Sequence, residues 1–177
     1  MPNTTTVILA AGKSTRFIAG ASKLIYPLCG FPIISHVYEV AKKISGKNIV
    51  VVCNKGNINE LKSILKGCVF VIQKQQKGTA DAIEQAKNKI NSKNVLILFG
   101  DTPLINVSSI RKLINKFISS KVKASLIAFK TLKPFGYGRL IIKDNNLKEI
   151  VEQINLDKNQ KKINLCNSGI LIANKKI

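Results

Sequence analysis

The chain alternates short, uniformly apolar runs with longer segments in which apolar residues recur at helical spacing. Five runs are predicted strands: residues 4–11, 49–52, 69–72, 95–99 and 124–129. Four segments are predicted amphipathic helices: residues 32–44, 57–65, 79–90 and 108–118. Strands that are apolar throughout belong to parallel sheets covered on both faces. The pattern predicts an α/β fold, with a three-layer αβα, Rossmann-like, mostly parallel sheet.

After residue 130 the pattern changes to strands without helices between them. Residues 139–143, 147–151 and 170–173 are predicted strands, and Asp144-Asn145-Asn146 is a predicted hairpin turn. We expect these C-terminal strands to run antiparallel beside the main sheet. Ser108 is the predicted cap of the helix before them. Because 177 residues suit one core, residues 1–177 are predicted to form one domain.

The net charge of +20 raises the alternative that the chain binds nucleic acid. Only three of the 29 basic residues are arginine, the residue favoured for forked contacts to bases and phosphates. The lysines are spread along the whole chain, and aromatic residues make up 6% of it. Nucleic-acid binding is therefore the weaker interpretation.

The cysteines and the single histidine bear on compartment and metal binding. The four cysteines lie far apart, without a C-x-x-C pair: Cys29, Cys53, Cys68 and Cys166. Widely spaced cysteines without a C-x-x-C pair predict reduced thiols in a cytoplasmic protein. His36, on a predicted helix, is expected to be structural, so a zinc site is not predicted. No apolar stretch reaches the roughly 18 residues that span a bilayer.

The loop after the first strand is the first candidate site. Ala11, Gly12, Lys13 and Arg16 follow the strand in AAGKSTRF, and Lys23 comes soon afterwards. Small residues let backbone N–H groups approach an anion, and the cations add charge. The spacing matches neither G-x-x-x-x-G-K-[ST] nor G-x-G-x-x-G. A phosphate site and a turn with solvated lysines both fit.

Polar residues also follow the third and fourth strands, where ligands bind in open α/β sheets. Gln73, followed by Gly78 and Thr79, suits a base edge; the alternative is a helix cap at Thr79 with a solvated Gln73. Asp101, in FGDTPLI, suits Mg²⁺; the alternative is a cap or turn residue. The sequence thus predicts one nucleotide site, with the simpler readings open.

The C-terminal part offers a second set of candidates. Gly138 in GYGRL allows close ligand approach, as does Gly136. Glu152 at the end of one strand and Asn167 before another suit sugar hydroxyls, although each alone is more often a surface residue. Tyr137 is expected to pack rather than to stack on a ligand.

Six motifs stand in the order found in sugar-1-phosphate nucleotidyltransferases: LAAGKSTRF with Lys23, QKQQKGTADA, LFGDTPLI, FGYGRLI, IVEQ and CNSGILIA. Over nearly its whole length the chain resembles this family, as a MobA-like NTP transferase domain. The likeness is greatest to the uridylyltransferase domain of bifunctional N-acetylglucosamine-1-phosphate uridylyltransferase / glucosamine-1-phosphate acetyltransferases. The resemblance implies the nucleotide-diphospho-sugar transferase fold and a role in UDP-N-acetylglucosamine and cell-wall biosynthesis.

The resemblance also implies a role for each candidate residue. The residues in catalytic contact with the nucleotide phosphates are Arg16 and Lys23. The other nucleotide-binding residues are Ala11, Gly12, Lys13, Gln73, Gly78 and Thr79, the last three at uracil. The metal ligand is Asp101, for Mg²⁺, and the sugar-phosphate residues are Gly138, Glu152 and Asn167. The implied reaction is attack of a phosphate oxygen of N-acetylglucosamine 1-phosphate on the α-phosphorus of UTP, with pyrophosphate leaving.

The chain departs from the family pattern at three positions: Ser14 for glycine, Ser22 for proline and Phe99 for tyrosine. The family also continues past the segment that Ile177 closes, to an asparagine that completes the metal site and to a β-helix acetyltransferase domain. We therefore expect a C-terminally incomplete enzyme, with homo-oligomers formed only through that further domain. Two alternatives stay open: a transferase for another NTP or acceptor, of the cytidylyl or molybdenum-cofactor type, and a non-catalytic nucleotide- or nucleic-acid-binding remnant.

Overall fold

The computed structural model describes residues 3–12, 22–75 and 77–175. They belong to two compact units, Met1–Ser125 with Leu171–Ile177, and Leu126–Ile170. The strands are β1 (Thr4–Leu9), β2 (Pro27–Leu28), β3 (Phe31–Pro32), β4 (Ile49–Cys53), β5 (Val69–Ile72), β6 (Asn94–Phe99), β7 (Ala124–Lys130), β8 (Arg139–Lys143), β9 (Asn146–Val151) and β10 (Leu165–Asn174). The α-helices are α1 (Ile33–Ser45), α2 (Ile58–Ile64), α3 (Thr79–Ala86) and α4 (Val107–Ser119). Short 3₁₀ helices lie at Lys23–Ile25, Lys87–Lys89, Gln153–Asn155 and Gln160–Lys162.

The sheet of the first unit is built around β1. This strand pairs in parallel with β4 on one side and with β6 on the other, so that Val7 lies opposite both Val50 and Ile97. β5 extends the sheet in parallel beyond β4. Residues 171–174, the end of β10, pair with β6 in the antiparallel direction. The parallel arrangement is confirmed for four of the five predicted strands, β1, β4, β5 and β6, and so is the antiparallel C-terminal addition. The predicted fifth strand, β7, pairs with β10 instead.

Helices cover both faces of this sheet. On one face, Ala82 and Ala86 of α3 pack with Val7, Val50 and Val52. Successive side chains of a strand point to opposite faces, and the alternate strand residues are also buried: Ile8, Val51, Leu96 and Leu98. α1 contacts β1 and α4. The three-layer α/β prediction is therefore confirmed.

Within the described residues, no helix combines the length and the apolar character needed to cross a membrane.

The second unit contains the β8–β9 hairpin. Asp144 and Asn145 form its turn with φ values of 50° and 58°, as expected for the turn type that matches the twist of paired strands. Lys143 pairs with Asn146, which is the first residue of β9 rather than part of the turn. β8 also pairs antiparallel with β10 through Arg139 and Cys166. The predicted hairpin is confirmed.

Three predicted details of the helices are wrong. Asn106, not Ser108, caps α4: its Oδ1 accepts a hydrogen bond from the Ser109 backbone N–H at 2.9 Å, and the Ser108 hydroxyl donates to the same oxygen at 2.8 Å. Ile118, assigned to the inward face of this helix, is 47% exposed in its last turn. The third helix ends at Ala86 and continues as a single 3₁₀ turn.

The four free thiols differ in exposure and should differ in reactivity. Cys29 is exposed, whereas Cys53 and Cys166 are buried. Burial raises the pKa of Cys68 from 9.0 to about 11, which lowers its thiolate fraction at pH 8 from roughly 10% to roughly 0.1%.

We expect iodoacetamide at pH 8 to modify Cys29 first, and Cys68 roughly 100 times more slowly than a thiol of ordinary pKa, as followed by peptide mass spectrometry. Urea-unfolded protein, in which all four thiols react, is the control; equal labelling of Cys68 and Cys29 in the native protein contradicts the prediction.

Candidate active site

Two asparagine side chains hydrogen-bond the backbone directly after β1. The Asn57 side-chain amide donates to the Ala10 carbonyl at 2.7 Å, and the Asn54 amide donates to the Ala11 carbonyl at 3.1 Å. The two side chains are themselves fixed, because each Oδ1 accepts the other residue's backbone N–H at 3.0 Å. Asn57 is 5% exposed. The start of the predicted phosphate loop is thereby anchored to the loop that follows β4.

This pair was missed in the sequence, although a signal was present. Asn54 and Asn57 follow the second predicted strand in CNKGN, and residues at strand ends are the ones that face ligands in such sheets. Of the predicted loop residues, Ala11 is 5% exposed and Gly12 is exposed. Lys13 and Arg16 lie outside the described residues.

Lys23 and Asp101 are brought together although 78 positions separate them in the sequence. Lys23 Nζ lies 3.1 Å from Asp101 Oδ2, and the two side chains are 42% and 41% exposed. Asp101 stands in a turn after β6, so the turn alternative describes its backbone correctly. A lysine, which suits phosphate, and an aspartate, which suits a metal ion, thus meet beyond the carboxyl end of β6.

Gly100 sets the position of this carboxylate. Its backbone N–H donates to the Leu9 carbonyl at 2.9 Å. A Cβ at this position would lie 3.2 Å from both Leu24 Cδ2 and the Leu9 oxygen, closer than side chains normally approach. A larger residue at position 100, where the chain turns into Asp101, would therefore require the end of β1 or Leu24 to shift by a few tenths of an ångström.

Gln73 and Gly78 are in direct contact at the end of β5. The Gln73 amide nitrogen donates to the Gly78 carbonyl at 3.1 Å and to Asp81 Oδ2 at 2.7 Å. Gln73 is 6% exposed, so the alternative of a solvated side chain is wrong. Thr79 is the exposed first residue of α3, and Gly78, without a side chain, occupies the cap position. A cap formed by Thr79 is therefore also wrong.

The second unit brings the three predicted sugar-phosphate residues together. The Asn167 backbone N–H donates to the Gly138 carbonyl at 2.9 Å. A Cβ on Gly138 would lie 3.2 Å from Glu152 Oε1, so the glycine lets the carboxylate approach the backbone. β10 begins at Leu165, and Asn167 consequently lies within a strand rather than before one.

Arg139 organises this unit, and its role was not predicted. Its side chain is 2% exposed. The guanidinium donates through Nε to the Ile163 carbonyl at 2.9 Å, through Nη2 to Gln153 Oε1 at 3.1 Å, and through Nη1 to the Tyr137 carbonyl. Gln153 Oε1 also accepts the Gly136 backbone N–H at 3.1 Å. Arg139 is thus used to hold the GYG loop, and its charge is not displayed for nucleic acid.

Two ring side chains, His36 and Tyr137, were expected to have structural roles. His36 is half-buried, and its Nε2 forms a hydrogen bond with the Leu28 backbone carbonyl at 2.9 Å, as expected of a structural histidine. Tyr137 packs edge-on against Phe129 with ring centres 4.9 Å apart. Packing is therefore confirmed for both side chains.

Comparisons with known proteins show the family to which the chain belongs. Residues 6–163 match the family model of MobA-like NTP transferase domains. Two relatives named bifunctional protein GlmU, from Buchnera aphidicola subsp. Schizaphis graminum and Campylobacter fetus subsp. fetus, are each 39% identical to the chain, over 96% and 92% of its length. The chain spans 37% of the length of each of these relatives.

Two solved structures share the fold. A putative glucose-1-phosphate thymidylyltransferase from Bacillus anthracis superposes with a TM-score of 0.82 and 21% identity, covering 98% of this chain and 72% of that one. A CMP:2-keto-3-deoxy-manno-octonic acid synthetase superposes with a TM-score of 0.74 and 16% identity, covering 98% and 75%.

A mostly parallel α/β sheet, with Gln73 and Asp101 beyond the ends of β5 and β6 and Lys23 paired to Asp101, is consistent with a nucleotidyltransferase. The family model matches most of the chain, and the relatives exceed 30% identity over nearly all of it. The chain belongs to the family of MobA-like NTP transferase domains. The family resemblance of the sequence motifs is confirmed.

Proposed function

We propose that this chain transfers UMP from UTP to N-acetylglucosamine 1-phosphate, giving UDP-N-acetylglucosamine and pyrophosphate. The observation that carries the proposal is the Lys23–Asp101 pair, which holds a phosphate-type cation and a metal-type carboxylate 3.1 Å apart. Similarity to the GlmU relatives supports the choice of substrates. The free thiols support a reducing, cytoplasmic location as part of the proposal.

The proposed chemistry depends on positioning and charge. The sugar phosphate is already ionised near neutral pH, so its attacking oxygen needs no general base. Lys23, together with Arg16, would contact the nucleotide phosphates and neutralise the charge that grows on the leaving pyrophosphate. Mg²⁺ held by Asp101 would supply further charge neutralisation and align the phosphate oxygens.

The residues present fit a magnesium ion that arrives with the nucleotide. Mg²⁺ is usually held by one or two carboxylates together with substrate phosphates and waters. Within the described part of the chain, no group of three or more His, Cys, Asp or Glu side chains could share a metal ion. Exposed ion pairs contribute about 0–1 kcal/mol to stability. The pair can therefore open at little cost, so that Lys23 contacts a phosphate and Asp101 a metal ion. We therefore propose that Mg²⁺ binds tightly only when UTP is present.

The acceptor would bind to the second unit. Glu152 and Asn167 carry groups that pair with sugar hydroxyls, and both residues lie beside Gly138: the Asn167 backbone N–H donates to the Gly138 carbonyl, and Glu152 Oε1 lies 3.2 Å from where a Cβ on Gly138 would stand. Arg139 supports the same loop from behind through Gln153 and Tyr137. We propose that this cluster binds N-acetylglucosamine 1-phosphate.

The direct test is turnover by the chain with each of the four NTPs, Mg²⁺ and N-acetylglucosamine 1-phosphate. We expect UTP to give UDP-N-acetylglucosamine and pyrophosphate, detected by chromatography and a coupled pyrophosphate assay, and EDTA to stop the reaction. Reactions without the sugar phosphate are the control. Preference for CTP or GTP would instead support a transferase of another specificity. Steeply salt-dependent binding to DNA or RNA without any response to UTP would support a non-catalytic remnant.

A further inference from the structure

We infer that Asp81 determines which bases the nucleotide site accepts, because it fixes the Gln73 amide with its carbonyl oxygen toward the ligand. A base that presents a ring N–H at this edge would be favoured over one that presents a ring nitrogen lone pair. The inference rests on the proposed nucleotide site. It assigns a positioning role to a residue outside the predicted set.

The orientation of the Gln73 amide follows from its partners. A glutamine amide offers two N–H donors on one side and an acceptor oxygen on the other. Gln73 Nε2 lies 3.1 Å from the Gly78 carbonyl oxygen and 2.7 Å from Asp81 Oδ2, and both partners can only accept. Rotating the amide by half a turn would place its oxygen against these two acceptors. The nitrogen must therefore face Asp81, and this assignment rests on the hydrogen-bond network.

The amide oxygen is left to face a ligand. Within the described residues, no hydrogen bond to Gln73 Oε1 is present. Within the same residues, Thr4 Oγ1 is the only fully buried side-chain nitrogen or oxygen without a hydrogen-bond partner. Gln73 Oε1 also lacks a partner among them, so it is not fully buried, although the Gln73 residue as a whole is only 6% exposed. A bound base would therefore meet an acceptor at this position.

Asp81 is well placed to keep the amide in this orientation. It stands in the first turn of α3, next to Ala82, which is 4% exposed and packed in the core with Ala86. Its contact with Gln73 is a short hydrogen bond to a carboxylate, which is stronger than one between neutral groups. Its other oxygen accepts from the Gln85 amide at 3.4 Å. The carboxylate is thus held on a rigid element.

The chemical consequence is selection by hydrogen-bond polarity. Uracil and guanine carry a ring N–H next to an exocyclic oxygen, whereas cytosine and adenine carry an unprotonated ring nitrogen next to an amino group. An acceptor fixed by Asp81 pairs with the first class and opposes the lone pair of the second. Such discrimination is large when the bound base covers a polar group of the site and leaves it unpaired.

The test is the substitution Asp81→Asn, which replaces the carboxylate by an amide that can donate to Gln73 and so lets the Gln73 amide rotate. Binding of UTP, GTP, CTP and ATP to the whole chain is measured by calorimetry with Mg²⁺, beside the matched control Glu84→Gln on the same helix, whose carboxylate pairs with Lys87 instead. We expect the UTP-to-CTP affinity ratio to fall at least tenfold in Asp81→Asn and to stay unchanged in Glu84→Gln. Circular dichroism checks that both variants are folded.

Each outcome separates this inference from the proposed reaction. A wild-type preference for UTP that Asp81→Asn leaves intact overturns the role of Asp81 and spares the reaction. Preference of the wild type for both UTP and GTP over CTP and ATP, lost in Asp81→Asn, supports the inference even if GTP proves to be the substrate. A wild type that prefers CTP or ATP, or that binds no nucleotide, overturns both.

Discussion

Asp101→Asn is expected to lower the rate of nucleotidyl transfer by about 100- to 1,000-fold, the usual effect of removing a group that neutralises charge in a transition state. The substitution keeps the size of the side chain and removes the charge that would hold Mg²⁺. Because the ion pair with Lys23 is about two-fifths exposed, the free energy of unfolding should change by less than about 1 kcal/mol. Pyrophosphate release and urea unfolding measure the two effects separately.

Glu39→Gln is the matched control for this variant. Glu39 also forms an exposed ion pair, with Lys42 at 3.4 Å, but on α1 and away from the strand ends. Its loss should leave both turnover and stability close to those of the unchanged chain. Turnover of Asp101→Asn at the full rate would remove the proposed metal role from this carboxylate.

The second large effect is expected for Arg139→Met, which should lower the free energy of unfolding by about 3–5 kcal/mol, because the guanidinium makes three hydrogen bonds and those from a charged group contribute about 1.5–3 kcal/mol each. The side chain is 2% exposed, and its loss leaves the Ile163 and Tyr137 carbonyls without their donors. Urea unfolding followed by circular dichroism measures the change.

Arg111→Met provides the comparison, because Arg111 is an exposed residue of α4. It should shift the free energy of unfolding by no more than about 0.5 kcal/mol. Arg139→Lys should restore only part of the stability, since a single ammonium group does not reproduce the planar fork that reaches three acceptors. Equal stability of the Arg139 and Arg111 variants would show that the buried guanidinium does not hold this unit together.

The sequence predicted the strands and helices well because the period of apolar residues directly reports which faces are buried. The cap of α4 was misassigned because Asn106 and Ser108 are both good cap residues within one turn, and only the hydrogen bond to Ser109 distinguishes them. The start of β10 was placed too late because its first residues include Asn167 and Gly169, which are rare in strands.

The candidate residues were named from the sequence, and the contacts that support them were not. Gln73 and Asp101 were chosen because they follow strand ends, where ligands bind in open parallel sheets, and Lys23 because it follows the loop after the first strand. The partner of Gln73 is Asp81, in the first turn of a helix, and a linear sequence does not show which carboxylate reaches an amide. Their roles in substrate binding stay predictions until the variants are measured.

The central place of β1 has a consequence for synthesis on the ribosome. Residues 4–9 are made before both of their neighbours, and one of these, residues 94–99, emerges much later. At roughly 5–20 residues per second, an apolar strand therefore waits several seconds with one edge unpaired. Such an edge invites association with other nascent chains. The nascent protein should consequently be a chaperone client until β6 has been inserted beside its first strand.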